Sequence, residues 1–450
     1  MTSGPLLKNI IRFAVPVMFS SLFQILFNAA DTVIVGKFAG EQALAAVGAT
    51  GSLIFMLTSL FNGTAMGTNV LVSHNIGANN TVRVERSVHT SVCVAMIGGV
   101  ILTAIGMIFA PRLLRLMNTP EAFIDLSVLY MRIYFAGTIS MLVYNFGSAI
   151  LRSKGDTRRP LIYLFTAGVI NVLLNLLMVI VLKMSVAGVA IATVVSQTLS
   201  AVLVIRALVK DDDVTHLDLK KLRIDKASLI ELLRIGVPAG IQGVVFAISN
   251  VVVQSSINSF NSTSIVAGNA AGANIESFVY IGCASFSNAC VTFMSQNMGA
   301  KRYDRLLKVF GLTMALTIVT AGGLSLLVFA NGRSLLGLYT DSAQAVDAGM
   351  TRTTYVALWL FLNGVLDIFV SSLRGMGYSM MPTVIMMAGI CGFRLGWLWT
   401  VFRARRTLET IYLCFPLSWI ITSVIEGILF VIAFRKVRRS SGLSTDHIPA

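Results

Sequence analysis

Charge is scarce in this chain. Only 12% of its 450 residues are Asp, Glu, Lys or Arg, against about 25% in an ordinary soluble domain. With 56% of the residues apolar, that scarcity argues against a soluble enzyme. Histidine and cysteine are sparse too. Cys93, Cys283, Cys290, Cys391 and Cys414 are odd in number and lie in apolar runs without metal-ligand spacing, so neither a disulfide frame nor a zinc site is implied. The four histidines, His74, His89, His216 and His447, are expected in or beside loops or at the tail. No Gly-rich phosphate loop ending in Gly-Lys-Ser/Thr and no His-Glu-x-x-His occurs. ATP hydrolysis and membrane metalloprotease chemistry therefore lack their parts, and no cofactor is expected.

Long apolar stretches broken by short basic connections run from end to end. A hydrocarbon core about 30 Å thick needs roughly 20 apolar helical residues per crossing. The sequence predicts twelve such spans, at 10–36, 44–72, 87–110, 124–148, 160–182, 185–208, 230–258, 266–294, 307–330, 348–373, 382–402 and 409–434. They are too long, and too continuous in Leu, Ile, Val and Met, for the strands of a membrane barrel. The first run continues through Gly36 without a cleavage pattern and reads as a span rather than a signal peptide. The expected fold is an all-α polytopic membrane protein.

A formal charge of +15 would, in a soluble chain, raise nucleic-acid binding. Its placement argues otherwise. Of the 35 Lys and Arg, 24 fall on the side that holds both termini, 8 on the other, and Arg132, Arg352 and Arg394 at or within spans. Positive charge is retained on the cytoplasmic side, so both termini are expected in the cytoplasm, in a multi-pass protein of the cell membrane with lipid rather than nucleic acid around it.

Self-similarity holds at one offset of 222 residues. It pairs Arg12 with Arg234, Pro16 with Pro238, Asn28 with Asn250, Asn75 with Asn297, Gly77 with Gly299, Arg152 with Arg374, Gly155 with Gly377 and Pro160 with Pro382. Six spans per repeat is an even number, so the repeats are parallel. The expected division is an N-terminal six-helix bundle at 1–209, a cytoplasmic linker at 210–228, a C-terminal six-helix bundle at 229–436 and a cytoplasmic tail at 437–450. Pro16 and Pro238 sit at equivalent places inside spans 1 and 7, where proline bends a helix. The bend is either a plain kink or a hinge for rocking between conformations.

Asp31, Glu276, Asp367 and Glu426 lie within apolar spans. A charge at mid-bilayer costs about 2.5 to 3.5 kcal/mol on insertion scales, so each is expected to face the bundle interior. Gln24, Asn28 and Asp31 share a helical face. Asn171 and Asn175 lie one turn apart in span 5, and Thr58, Asn62 and Asn69 share a face of span 2. Such oxygens suit Na⁺, or hydrogen bonds that switch when Asp31 takes a proton. In the second repeat Asn269, Glu276 and Tyr280 share a face of span 8, Asn363, Asp367 and Arg374 a face of span 10, and Asn250, Gln254 and Asn258 a face of span 7. The offset places Asp31 opposite Val253 and Ile54 opposite Glu276, so the repeats share a scaffold and divide the labour. Arg394 needs an anion, and Asp367 or Glu426 is its expected neighbour.

In order and spacing, several stretches resemble the multidrug and toxic compound extrusion (MATE) family over nearly the whole chain. They are Phe27-Asn28-Ala29-Ala30-Asp31, Leu151-Arg152-Ser153-Lys154-Gly155-Asp156-Thr157, Ile275-Glu276-Ser277-Phe278, Ser295-Gln296-Asn297-Met298-Gly299-Ala300 and Leu373-Arg374-Gly375. The resemblance implies two bundles enclosing a central cleft, and export of amphipathic, often cationic drugs or metabolites by alternating access in exchange for H⁺ or Na⁺. It also implies an ion site of Asp31, Tyr130, Asn145, Asn171 and Asn175. Here Asn175 stands where many relatives carry a second acid, and Asn363 where some sodium-coupled relatives have Asp. A self-contained transporter of this kind works as a monomer and is not an enzyme. The alternatives are a flippase for a lipid-linked sugar or other amphipathic lipid, and a membrane receptor.

Overall fold

Backbone amides in hydrocarbon have no water to bond, so apolar runs of this length close their hydrogen bonds inside helices. The computed structural model describes residues 1–117 and 119–440, so the expected tail from 441 on, with His447, lies outside the described residues. Among the described residues there is no strand. In chain order the long helices are α1 (Leu6–Phe38), α2 (Glu41–Gly77), α3 (Thr81–Leu116), α4 (Glu121–Ala136), α5 (Thr138–Ser153), α6 (Arg158–Val181), α7 (Ser185–Lys210), α8 (Lys226–Asn258), α9 (Thr263–Gly299), α10 (Tyr303–Ala330), α11 (Ala343–Gly375), α12 (Met380–Phe402) and α13 (Leu408–Ser440). Eleven are long and apolar enough to cross a membrane singly, and α4 with α5 makes the twelfth.

Most helices outrun their apolar cores. The third was expected at 87–110 and runs Thr81–Leu116, because the polar first turn is capped by the Asn80 side chain, which accepts from the Arg83 amide. The fourth span is not one helix: it bends by 46° at Gly137 between α4 and α5. A Cβ at Gly137 would meet the Val194 side chain at 2.6 Å. The Thr138 and Thr103 hydroxyls both donate to the Phe135 carbonyl, at 2.7 and 2.8 Å, and so satisfy backbone at the break.

The offset of 222 recurs in the backbone itself. Left-handed Asn79 (φ 53°) pairs with Lys301 (φ 54°), and Gly155 (φ 97°) with Gly377 (φ 92°), each just past a helix end. Rare π-helical turns begin at Leu176 in α6 and Leu398 in α12, again 222 apart. Such turns concentrate at functional sites.

The chain forms two compact units, residues 11–247 and residues 1–10 with 248–450. In the first, Met131, Phe135, Leu142 and Phe146 of α4 and α5 pack fully buried against α2 and α3. Its α2 and the first half of α8 cross at backbone distance: a Cβ on Gly63 would lie 2.1 Å from the Gly240 amide nitrogen, and one on Gly236 2.5 Å from Thr64 Cα. Gly63 and Gly67 face Gly236 and Gly240, a small-xxx-small pairing on both helices.

The segment expected as a linker is held down on this unit. Asp211 accepts from both Arg159 terminal nitrogens, at 2.8 and 2.9 Å, and is paired with Lys154. Leu217 is fully buried, and Asp225 pairs with Arg86 at 3.6 Å. His89 corrects an expectation: it lies inside α3, buried, with its ring bonded to the carbonyls of Glu85 and Asp218. His74 likewise stands in the last turn of α2. The polar ends of helices that continue past the apolar stretch read, in sequence, like loops.

In the second unit α9 is the central helix, with Cys283, Cys290, Phe293 and Met294 buried along it. All five cysteines are free. Apolar side chains on the outer faces of both units, such as Ile108, Val181 and Val319, are exposed. Lipid tails solvate them at no hydrophobic cost.

Candidate functional site

In the first unit Asp31, in the last quarter of α1, is half-buried. Its Oδ1 accepts from the Asn175 amide at 2.5 Å, and the same amide nitrogen donates to Asn171 Oδ1 at 3.2 Å. Asn171 and Asn175 are adjacent turns of α6, and the π turn starts at the next residue, Leu176. The Asn175 carbonyl oxygen is buried and has no donor. A buried acceptor without a donor costs about 1 to 3 kcal/mol. Beside a carboxylate, it leaves oxygens that a cation or a proton would satisfy.

Tyr130 of α4 is buried among Ile34, Val35 and Val179, the neighbours of Asp31 and Asn175. Asn145 of α5 is held elsewhere: its amide donates to Asn62 of α2 at 2.9 Å. Asn28 is exposed, and its backbone carbonyl accepts the Thr32 hydroxyl. The structure therefore brings Asp31, Asn171 and Asn175 together, with Tyr130 in the surrounding wall, and gives Asn145 and Asn28 other partners. Pro16 and Pro238 lie inside the continuous helices α1 and α8, and the carbonyl of Pro16 accepts the Ser20 hydroxyl at 2.9 Å.

The second unit holds two polar clusters. Both Glu276 oxygens accept from Arg352 of α11, at 2.7 and 2.6 Å, and both side chains are buried. The same guanidinium donates to Asn269 at 2.6 Å, Asn269 donates to Gln254, and Gln254 donates to Asn258. The Tyr412 hydroxyl completes the set on Asn269 at 3.1 Å. About three to four turns further along α11 lies the other cluster. Asn363 reaches Asp367 only at 3.5 Å, Tyr280 faces the same carboxylate, and Arg374 is its neighbouring cation. Tyr280 thus belongs with Asp367 rather than with Asn269 and Glu276, with which it shares a face.

Arg394 departs from expectation. Among the described residues no carboxylate lies within 4.0 Å of it. Its guanidinium lies 4.1 Å from the centre of the Phe415 ring, and its Nε donates to Ser418 at 3.2 Å. Asp367 and Glu426 instead have Arg374 as their cation. An aromatic face can hold a buried guanidinium in place of an anion, and α13 supplies it with Phe415 and Trp419, about three and two turns before Glu426. Glu426 is fully buried, and neither of its oxygens has a hydrogen-bond partner. Arg132 lies exposed, with Nε donating to the Met107 carbonyl.

Known proteins match the same frame. Two stretches fit the MatE family, residues 16–177 and 238–399, which are the two repeats at their offset of 222. The chain belongs to the MatE family. The probable multidrug resistance protein YoeA of Bacillus subtilis is similar to it, 30% identical over 393 residues that cover 86% of this chain and 84% of that protein. The probable multidrug resistance protein NorM of Thermotoga maritima is 26% identical over 86% of this chain and 84% of its own length. Among solved structures, the outward-facing conformation of a multidrug resistance MATE family transporter of the MOP superfamily superposes with a TM-score of 0.90 at 19% identity, covering 97% of this chain and 98% of that one. This MatE chain is a multi-pass membrane transporter with the two-repeat fold, and it is not an enzyme.

Two partners in this MatE chain escape sequence reasoning. Arg352 reads as a span-end cation until its contact with Glu276 is seen, and Asn62 reads as one of three polar residues on α2. The available signal was that Glu276, an acid in an apolar run, requires a cation nearby. Only the crossing of α9 and α11 selects which one.

Proposed function

We propose that the protein is a cation-coupled antiporter of the cell membrane, exporting amphipathic, often cationic drugs or metabolites by alternating access. The observation that carries this reading is the Asp31–Asn175–Asn171 cluster, an acid inside an apolar span beside an amide oxygen with no donor. H⁺ or Na⁺ entering this cluster neutralises Asp31 and favours one arrangement of the first unit over the other. Tyr130 walls the site, while Asn28 and Asn145 join it in the alternate arrangement. Glu276, Asn269, Tyr280, Asn363 and Asp367 form the polar ground of the second unit, where substrate or ion is received. Pro16 and Pro238 are the hinges. The functional halves are 1–209 and 229–436, joined by the linker at 210–228. The transporter works as a monomer with both termini in the cytoplasm. The multidrug resistance names of the relatives support the substrate class. The flippase alternative is not favoured, because Arg132 is turned onto a backbone carbonyl and Arg352 is neutralised by Glu276, leaving few cations for a pyrophosphate.

The test is export of a fluorescent cationic dye from reconstituted vesicles under a pH gradient and a Na⁺ gradient imposed separately. Transport under one gradient that vanishes in Asp31→Asn names the coupling ion. Failure of both gradients with folded protein overturns the antiport reading.

A further inference from the structure

The loop between α12 and α13 carries Arg403, Arg405 and Arg406 in a run of four residues. Because an even number of spans separates the termini, this loop lies on the side opposite to them, where only 8 of the 35 Lys and Arg are found. Retaining three cations there runs against the usual distribution of positive charge. Two of the three are placed together. Arg403 and Arg406 line a groove of about 460 Å³ between the ends of α8 and α12, whose other walls include Ser255, Ser259, Trp399 and Phe402. Neither guanidinium has an ion-pair or side-chain hydrogen-bond partner among the described residues, whereas at the opposite end Arg83, Arg86, Lys154 and Arg159 are each paired with Asp or Glu. Trp399 is 77% exposed on the rim, the position that interfacial tryptophans take at headgroup level. Phe402, 7% exposed and 6.0 Å from the Phe260 ring centre, makes an apolar floor.

We propose that this groove is a binding site for the headgroup of an acidic phospholipid. The phosphodiester sits between Arg403 and Arg406, the serine hydroxyls at the end of α8 lie within the same groove, and the acyl chains leave past Trp399 into the bilayer. The π turn Leu398–Phe402 forms the α12 wall. A bound lipid therefore ties the end of α12 to the end of α8. Charge complementarity selects the occupant: two unpaired guanidiniums favour a headgroup with net negative charge over a zwitterionic one, and Arg presents a forked donor set to phosphate. Phosphate alone shares the chemistry but lacks the chains that Trp399 and Phe402 receive.

The experiment titrates the full chain in a neutral detergent with phosphatidylglycerol, phosphatidylcholine or inorganic phosphate, reading apparent affinity from the thermal unfolding midpoint. Phosphatidylglycerol is expected to raise the midpoint saturably and the other two are not. At roughly five- to sixfold in binding per basic group near a charged lipid surface, Arg403→Gln with Arg406→Gln weakens phosphatidylglycerol roughly thirtyfold. Arg405→Gln, in the same loop but outside the groove, leaves it unchanged. Should the double variant fail to fold, Ser255→Leu fills the groove without removing charge and is expected to weaken the lipid as well. Equal phosphatidylglycerol affinity in the wild type and in either groove variant overturns the proposal. So does an equal response to phosphatidylcholine, or a phosphate response that reproduces that of the lipid.

Discussion

Asp31 and Glu276 are both acids in apolar helices, yet their surroundings differ in a way that separates their roles. Glu276 is saturated by Arg352, while Asp31 has one amide donor and an orphaned oxygen beside it. Asp31→Asn keeps the shape and removes the charge that a cation answers, so efflux is expected to fall to background while membrane yield stays normal. Wild-type export by that variant sinks the coupling role. Arg352→Gln does the opposite, since it strands a buried carboxylate and is expected to cost about 3 to 5 kcal/mol of stability. Pairing it with Glu276→Gln restores much of the loss, read as the thermal midpoint in detergent; a double variant no better than Arg352→Gln would show that the pair is not what is lost. The acids themselves were legible in the sequence because insertion cost singles them out. Their partners were not, because Arg352, Arg374 and Arg394 are chemically alike and only helix crossing angles decide which carboxylate each one meets.

At the scale of elements, the segment after α7 is a clamp on the first unit rather than a free tether. Burial alone would raise the Asp211 carboxyl, but hydrogen bonds from Arg159 and Lys154 outweigh it and hold the group below the ordinary carboxylate value. A carboxylate lowered on folding contributes stability above its unfolded value of about 3.9 and loses it as the pH falls through the lower folded value. The clamp is thus closed at neutral pH and opens only below about pH 4. Asp211→Asn opens it at pH 7, and amide protection across 211–225, corrected for intrinsic exchange, is expected to drop there; unchanged protection would refute the clamp. The crossing of α2 and α8 is the other element-scale constraint. A Cβ at Gly240 would meet the Leu60 carbonyl oxygen at 2.4 Å, whereas nothing lies within 4 Å of one at Gly322. Gly240→Leu should therefore reduce the monodisperse fraction in detergent and Gly322→Leu should not, and equal behaviour of the two would mean the crossing is dispensable. Helix existence was readable from apolar run length, but the break at Gly137 was not, since a single Gly in an apolar run gives no sign of whether a neighbour such as Val194 occupies its Cβ space.

For the whole molecule, the repeat was legible because one offset survives in residues that fix backbone geometry, such as Gly155 with Gly377, while residues that carry charge do not obey it. The same contrast is what the proposed orientation rests on. Cations concentrate on the side of the termini, where Lys154, Arg159 and Arg86 are paired with linker acids, and the exception at Arg403 to Arg406 is explained by what it binds. Cysteine labelling decides the orientation with little background, since the native thiols lie in the spans and four of the five are buried. In intact cells Asp341→Cys, in the loop between α10 and α11, is expected to react with a membrane-impermeant maleimide, and Asp212→Cys, in the linker, only after the membrane is opened. The reverse pattern would put the termini outside, turn the Asp31 cluster over in the bilayer, and reverse the direction in which the same ion gradient drives export.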